Sequence, residues 1–343
     1  MKDQTENLHL TDEPLQVEQL SNAFSSRFNV IQAEQMTTAI ARSEVHCKAF
    51  TTGCLYNKHG KKNRLSERLG GFSGDVISLH NADALPRPSI FSSEKLQGNT
   101  FYLGVWMGHY GHFITETLSR LWAFREIKHF RHLVVFPFIF SHRKPVKDYQ
   151  AYLMYLLDIP SDNIETLRAP TRFKSITVPE QGWTINRSAN SNIAPIYTHI
   201  RETHQARHSS KETCERIFLS RNDKKYQRTN NVADIETLFK KRGFTIFYPD
   251  QLTMQQQLSI YSNCKIMAGF SGSALHNCLF THQDTLVIEV ADMRTGNKFH
   301  PMQKAALELS GNPSQLIHYQ GDQGRNFNLE FLADELATIL LRI

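Results

Sequence analysis

The chain has 343 residues, 40% of them hydrophobic and 21% charged, with a formal net charge of +6. That length and apolar content suffice for a large buried core and suggest two domains. The positive balance suits an anionic ligand, yet no repeated basic stripe or aromatic stacking motif of a nucleic-acid binder occurs, so no nucleic-acid partner is expected.

No stretch approaches the roughly 18 apolar residues of a membrane span. Residues 1–20 are polar and mostly acidic, unlike a signal peptide, and read as a flexible tail of a cytoplasmic protein. Cys47, Cys54, Cys214, Cys264 and Cys278 are scattered, without a CxxC pair or metal-ligand spacing, and read as reduced thiols.

Before about residue 95 the pattern is irregular. It predicts a helix over 17–41, a hairpin over 47–56 and a basic, Gly-rich loop over 58–74. Residues 101–106 read as a strand, after which Phe113, Leu118, Leu121, Trp122 and Ile127 fall near helical spacing. Another strand is expected over 132–136 and another helix over 149–157. Residues 179–210 are polar, rich in Asn, His and Ser and without a strong period, as a domain connection would be.

A regular alternation follows. Strands are predicted over 216–219, 244–248, 265–268 and 285–290, with helices over 232–241, 254–262, 273–280 and 302–309. Strands divided by helices mean a parallel sheet covered on both faces, an α/β fold. Gly243 after Lys240, Lys241 and Arg242 is a helix stop, and Thr253 with Gln256 a capping box. A last amphipathic helix is expected over 328–343.

The stretch GFSGSALHNCLF, residues 269–280, joins a strand to a helix. Its glycines would let the backbone approach a ligand, and the helix N-terminus would favour phosphate. The rival reading is a nucleophile elbow with Ser271 as nucleophile and Asp292 and His300 completing a triad, which Ser273 disfavours by standing where that motif has glycine. A tight turn without a ligand is the third reading.

Three blocks resemble glycosyltransferase family 61. In RIFLSRNDKKYQRTNN, Ser220, Arg221, Arg228 and Asn230 match, with Asn231 where the family usually has Glu. In the 269–290 block, Gly269, Gly272, Leu275, Asn277 and Glu289 match, while Ser271 replaces the usual His and Ser273 the usual Ala. In GHYGHFITETLSRLWAF, His112, Glu116, Arg120 and Leu121 match.

The resemblance implies a GT-B fold, two Rossmann-like domains facing a central cleft. It places an acceptor-side domain at 21–190, a nucleotide-sugar domain at 191–325 and a C-terminal helix at 326–343 crossing back to the first domain. The implied activity is inverting transfer from a nucleotide-sugar, with UDP-sugar favoured, to a saccharide or lipid-linked glycan of a capsular or other surface polysaccharide. Contact with the inner face of a membrane would be peripheral.

Glu116 is the first choice of base and His112 the second; four residues apart, they share a helix face. Donor binding falls to Arg221 and Arg228, to the turn residues Ser271, Gly272, Ser273, Ala274 and Asn277, and to Glu289 at a strand end. Without a D-x-D or a metal-ligand cluster, no obligatory metal is expected. The alternatives are a catalytically silent Rossmann-like binding protein and a serine hydrolase using Ser271.

Overall fold

A computed structural model of the chain describes residues 9–25, 30–32, 49–51, 54–72, 75–78, 94–123, 129–138, 146–167, 169–208, 214–221, 229–295, 297–322 and 325–342. The chain divides into two compact units, Met1–Ile196 and Tyr197–Ile343. Both are mixed α/β. Among the described residues no helix is long and apolar enough to cross a membrane.

The main sheet of the first unit contains β1 (Val17–Ser25), β2 (Leu55–Tyr56), β3 (Glu94–Met107), β4 (His132–Phe138), β5 (Ile164–Thr166) and β6 (Thr171–Pro179), in the order β5-β4-β3-β6-β1-β2. The first four strands of that order pair in parallel, and β1 and β2 join antiparallel. Counted along the chain, the parallel strands run 3-2-1-4, and the order reverses between β3 and β6. A sheet of this kind takes ligands at the carboxyl ends flanking the reversal.

Several expectations before residue 95 are corrected. Residues 17–25, expected to be helical, form β1. Asn22 adopts a left-handed φ of 52° and drops out of the ladder between the pairs Ala23–Phe173 and Ser21–Ser175. The kink turns Leu20 and Ala23 inward together, and their three-residue spacing imitates a helix.

Nor are residues 9–20 a free tail: His9–Thr11 pairs with Ser188–Asn190, and β1 begins at Val17. The expected hairpin at 47–56 is not formed within the described residues. Ala49–Thr51 pairs with Val30–Gln32, and β2 pairs with β1. The basic loop contains a 3-10 turn, Arg64–Ser66, and a strand, Leu69–Phe72.

Residues 110–123, α1, change helix type along their length: α over Tyr110–His112, π over Phe113–Thr117 and 3-10 over Leu118–Ala123. Phe113 and Leu118, five apart and both fully buried, suit the wider π turn. Thr117 anchors it, its hydroxyl donating to the Val105 carbonyl at 2.9 Å and accepting the Met107 N–H at 3.1 Å. Ile127, expected to continue the helix, lies outside the described residues. Next comes α2 (Asp148–Leu156), followed by α3 (Ala194–Arg207) inside the segment expected to be a linker. Ile196, Tyr197, Ile200 and His204 are its buried positions, with the buried Ile193 just before it; the polar His204 broke the apolar period.

The second unit follows the predicted alternation closely. It contains β7 (Arg216–Leu219), α4 (Val232–Lys241), β8 (Thr245–Phe247), α5 (Met254–Tyr261), β9 (Ile266–Phe270), β10 (Leu286–Val290), α6 (Pro301–Ser310), β11 (Ser314–Ile317) and α7 (Leu329–Leu340). All five strands are parallel in the order β8-β7-β9-β10-β11, with the reversal between β7 and β9. The Thr253–Gln256 capping box is present.

The predicted helix 273–280 is a short 3-10 helix, Leu275–Phe280, without the long dipole of an α-helix. The apolar face of α7, Leu332, Leu336 and Ile339, joins Phe218, Ile235 and Phe239 in the core of the second unit. The implied crossing back to the first domain is therefore not what that face does.

Candidate functional site

In the second unit, the reversal between β7 and β9 brings Arg221 to the turn that follows β9. Arg221 Nη2 donates to the Ser271 carbonyl at 2.6 Å, and Arg294 Nη2 reaches the same oxygen at 3.5 Å. Gly272 has φ 144°, and a Cβ there would collide with the Arg221 guanidinium. The glycine is what lets the cation lie against the turn.

Gly272, Ser273 and Ala274 are half-buried and form the accessible edge of the turn, whereas Ser271, Asn277 and Glu289 lie beneath it. Asn277 Nδ2 donates to the Ala274 carbonyl at 2.9 Å, fixing the turn from inside. Ser271 Oγ donates to Glu289 Oε1 and lies 3.3 Å from Thr295 Oγ1. Burial pushes the Glu289 carboxyl up to about 7, against the opposing pull of the Ser271 hydroxyl and the His300 backbone N–H.

Arg294 is itself held by Asp292, through Nε at 3.0 and 3.1 Å and through Nη2 at 2.5 Å. Burial would raise the Asp292 carboxyl, but the bonds from Arg294 more than offset it and hold it below its ordinary value. Ser220 Oγ and Tyr248 OH donate to Glu236 at 2.5 and 2.9 Å, which fixes the end of β7.

The three residues of the hydrolase alternative are engaged separately. Ser271 donates to Glu289, Asp292 binds Arg294, and His300 Nδ1 accepts the Met302 N–H at 3.3 Å at the start of α6. A serine nucleophile needs its hydroxyl to donate to the imidazole; here it donates to a carboxylate.

In the first unit the π turn presents Glu116 inward, 4% exposed. Arg68 clamps it from the basic loop, Nε to Oε2 at 2.6 Å and Nη2 to Oε1 at 3.1 Å, and His112 Nδ1 lies 2.5 Å from Oε1. Burial alone would raise the Glu116 carboxyl; Arg68, followed by His112, overcomes it and holds the group down at about 2. An anionic Glu116 fixes the proton of His112 on Nδ1 and leaves the lone pair on Nε2. The His112 side chain is 30% exposed, and the exposed His109 stands edge to face with it at 5.4 Å between centroids.

Arg120, which matches the third block, is a structural tie. Its guanidinium donates to the carbonyls of Leu65, Pro179 and Glu67 at 2.6, 2.7 and 2.6 Å and lies over the Tyr102 ring. Gly104, at φ 89°, has no Cβ to collide with it.

The expected residues thus fall into two groups, one in each unit: His112 with Glu116, and Arg221 with 271–274, Asn277 and Glu289. Arg228 lies outside the described residues. Two cations escaped the sequence reading. Arg68 sat unremarked in the basic loop, where only its pairing with Glu116 singles it out. Arg294, four residues past β10, was accessible from the rule that ligands meet strand carboxyl ends. Among the described residues, no three His, Cys, Asp or Glu side chains gather as a metal site.

Comparison with protein families gives a match over residues 110–288 to the family described as Glycosyltransferase 61. No curated protein matches the chain. The matched span begins at the π-turn segment that bears His112 and Glu116, includes Arg221 and the 269–280 turn, and ends one residue before Glu289. It covers more than half of the sequence, and the chain belongs to glycosyltransferase family 61.

Proposed function

We propose that the protein is an inverting, nucleotide-sugar-dependent glycosyltransferase of GT-B architecture, with the donor carried by the second unit and the acceptor by the first. The acceptor is a saccharide or lipid-linked glycan of a capsular or other surface polysaccharide. One observation carries the reading: Arg221 and Arg294 converge beside the accessible backbone of Gly272, Ser273 and Ala274, where a sheet of this strand order takes its ligand.

Two guanidinium groups suit a diphosphate, which they can grip bidentately. They support a leaving nucleoside diphosphate, UDP in the first instance, neutralised without an obligatory metal. Arg228 joins them by the family match of its block. Beneath the turn, Ser271, Asn277 and Glu289 act as supports of the backbone that meets the donor.

The first-unit geometry supports reversing the expected order of base and partner. Glu116, ionised and clamped by Arg68, is a weak base. It orients His112, whose Nε2 takes the proton of the acceptor hydroxyl as that oxygen bonds to the anomeric carbon. The bond from carbon to diphosphate oxygen breaks on the opposite face, and its electron pair leaves with the diphosphate. One such displacement inverts the anomeric centre. The net charge of +6 supports a cytoplasmic site of action at an anionic membrane surface.

Thermal shift with UDP-, GDP- and CMP-sugars tests the reading, and one donor class should stabilise the protein. His112→Ala should keep that stabilisation and lose transfer, and Arg221→Ala should lose both. If no nucleotide-sugar stabilises the chain, or if EDTA abolishes transfer and Mn²⁺ restores it, the reading fails in that part. Nucleotide stabilisation without transfer to any acceptor is the outcome expected of a silent binding protein.

A further inference from the structure

Of the basic loop, only its last cation, Arg68, takes part in the site described above. The earlier part lines a cavity of about 520 Å³ in the first unit, together with Gln16, Glu18 and Leu20. That volume lies in the range of small-ligand sites, roughly 300–1,000 Å³.

The charges in the wall are not balanced. Lys62 pairs with Glu67, whereas Glu18 accepts from the neutral Asn63 amide at 2.6 Å and keeps its negative charge in the wall. Lys61 and Arg64 are exposed cavity residues, and among the described residues neither has an ion-pair partner. Against the Glu18 carboxylate of the same wall these two cations leave one net positive charge, and a concave wall focuses that potential on its interior.

The wall is also held in shape before any ligand arrives. Asn57 Oδ1 accepts the N–H groups of His59 and Lys61, both at 3.0 Å, closing the turn that carries Lys61. Asn63 Oδ1 accepts the Ser66 N–H at 2.9 Å beneath Arg64, and Arg120 grips the carbonyls of Leu65 and Glu67. Binding to a preformed wall avoids most of the ordering cost. Four residues after Arg64 the same loop delivers Arg68 to Glu116.

We propose that this cavity is a subsite for an acid-bearing saccharide, the carboxylate or phosphate of one sugar of the acceptor glycan lying between Lys61 and Arg64. The guanidinium of Arg64 takes the anion in a fork and the ammonium of Lys61 acts as a point charge. A neutral glycan would use neither. The inference rests on the glycosyltransferase reading for the ligand being a glycan.

The test is calorimetric titration of the full chain with trigalacturonate, with glucose 6-phosphate and with neutral maltotriose. At least one acidic probe should bind, more weakly as salt is raised, and the pair Lys61→Gln with Arg64→Gln should weaken it about tenfold or more. Which acid binds tells carboxylate from phosphate. An unchanged melting temperature certifies the fold of the pair, and the single Lys61→Glu variant repeats the test if the pair is unstable.

The proposal is overturned if maltotriose binds as tightly as the acids, if neither acid binds, or if the variants bind them like the parent. UDP stabilisation is followed in parallel. UDP stabilisation with no acid binding sinks this subsite alone, and acid binding without any nucleotide stabilisation sinks the donor reading alone.

Discussion

Arg68 and Glu116, 48 residues apart in the chain, meet through both carboxylate oxygens at 2.6 and 3.1 Å, with side chains 3% and 4% exposed. A buried pair of this kind adds little net stability over an apolar pair, but losing one partner strands a charge. Arg68→Met should therefore destabilise the protein by about 3–5 kcal/mol, read by urea unfolding. The double change with Glu116→Leu should recover much of that loss. A double variant no more stable than Arg68→Met would show that the pair is not the cause.

The same pair separates the roles of His112 and Glu116. His112→Asn should lower the rate of transfer by about 10²–10⁴-fold while leaving nucleotide stabilisation unchanged. Glu116→Gln keeps the shape but removes the charge that fixes the His112 proton, so it should shift the pH profile of transfer as well as lower its rate. If Glu116→Gln abolishes transfer at every pH while His112→Asn retains most of it, Glu116 is the base.

At the donor turn, Gly272→Ala puts a Cβ against the Arg221 guanidinium at a φ of 144°. The strain should cost about 1–3 kcal/mol of stability. Displacing Arg221 should lower UDP affinity about tenfold or more, the worth of a charged hydrogen bond. Equal UDP affinity in parent and variant would remove Arg221 from the donor site.

Two buried carboxylates give opposite dependences on pH. Glu116, held at about 2 against an ordinary 4.5, contributes stability that is present above 4.5 and lost as pH falls through about 2. Glu289, raised to about 7, contributes stability that is present below 4.5 and lost as pH rises through about 7. At 1.36 kcal/mol per unit the Glu289 effect is on the order of 3 kcal/mol. Glu289→Gln should flatten the decline between about pH 5 and 8 in denaturant titrations; an unaltered slope would assign that decline elsewhere.

Gly104→Ala should be costly although Gly104 is not itself a candidate site residue. Its Cβ would collide with Arg120 at a φ of 89°, loosening a guanidinium that holds the carbonyls of Leu65, Glu67 and Pro179. A loss on the order of 3 kcal/mol or more is expected in urea unfolding. A change below about 0.5 kcal/mol, the range of surface substitutions, would mean that the tie is dispensable.

The second unit was legible because each of its signals was local. The run Lys240-Lys241-Arg242-Gly243 ends α4, and the Thr253–Gln256 box opens α5. The short β11 was missed because Leu316 and Ile317 are too few apolar residues to show a period. In the first unit the decisive facts are long-range. β1 is a strand through its pairing with β6, and the left-handed Asn22 disguises its alternation. His112 and Glu116 could be placed on one helical segment by counting, but not the π turn between them nor the arginine that decides which of them holds a proton. Ser271 reads in sequence as a replaced histidine; its hydroxyl donates to Glu289, a contact 18 residues away that no motif records.

Asn231 exchanges two hydrogen bonds with Phe327, and Thr229 and Asn230 both donate to the Arg325 carbonyl. Four bonds thus zip residues 229–231 to the stretch that launches α7. A chain cut before residue 325 would lose these clasps together with the helix. Shortening the far end of the protein should then be felt first as slackness at residues 229–231, in faster amide exchange at Asn230, well before the parallel sheet itself opens.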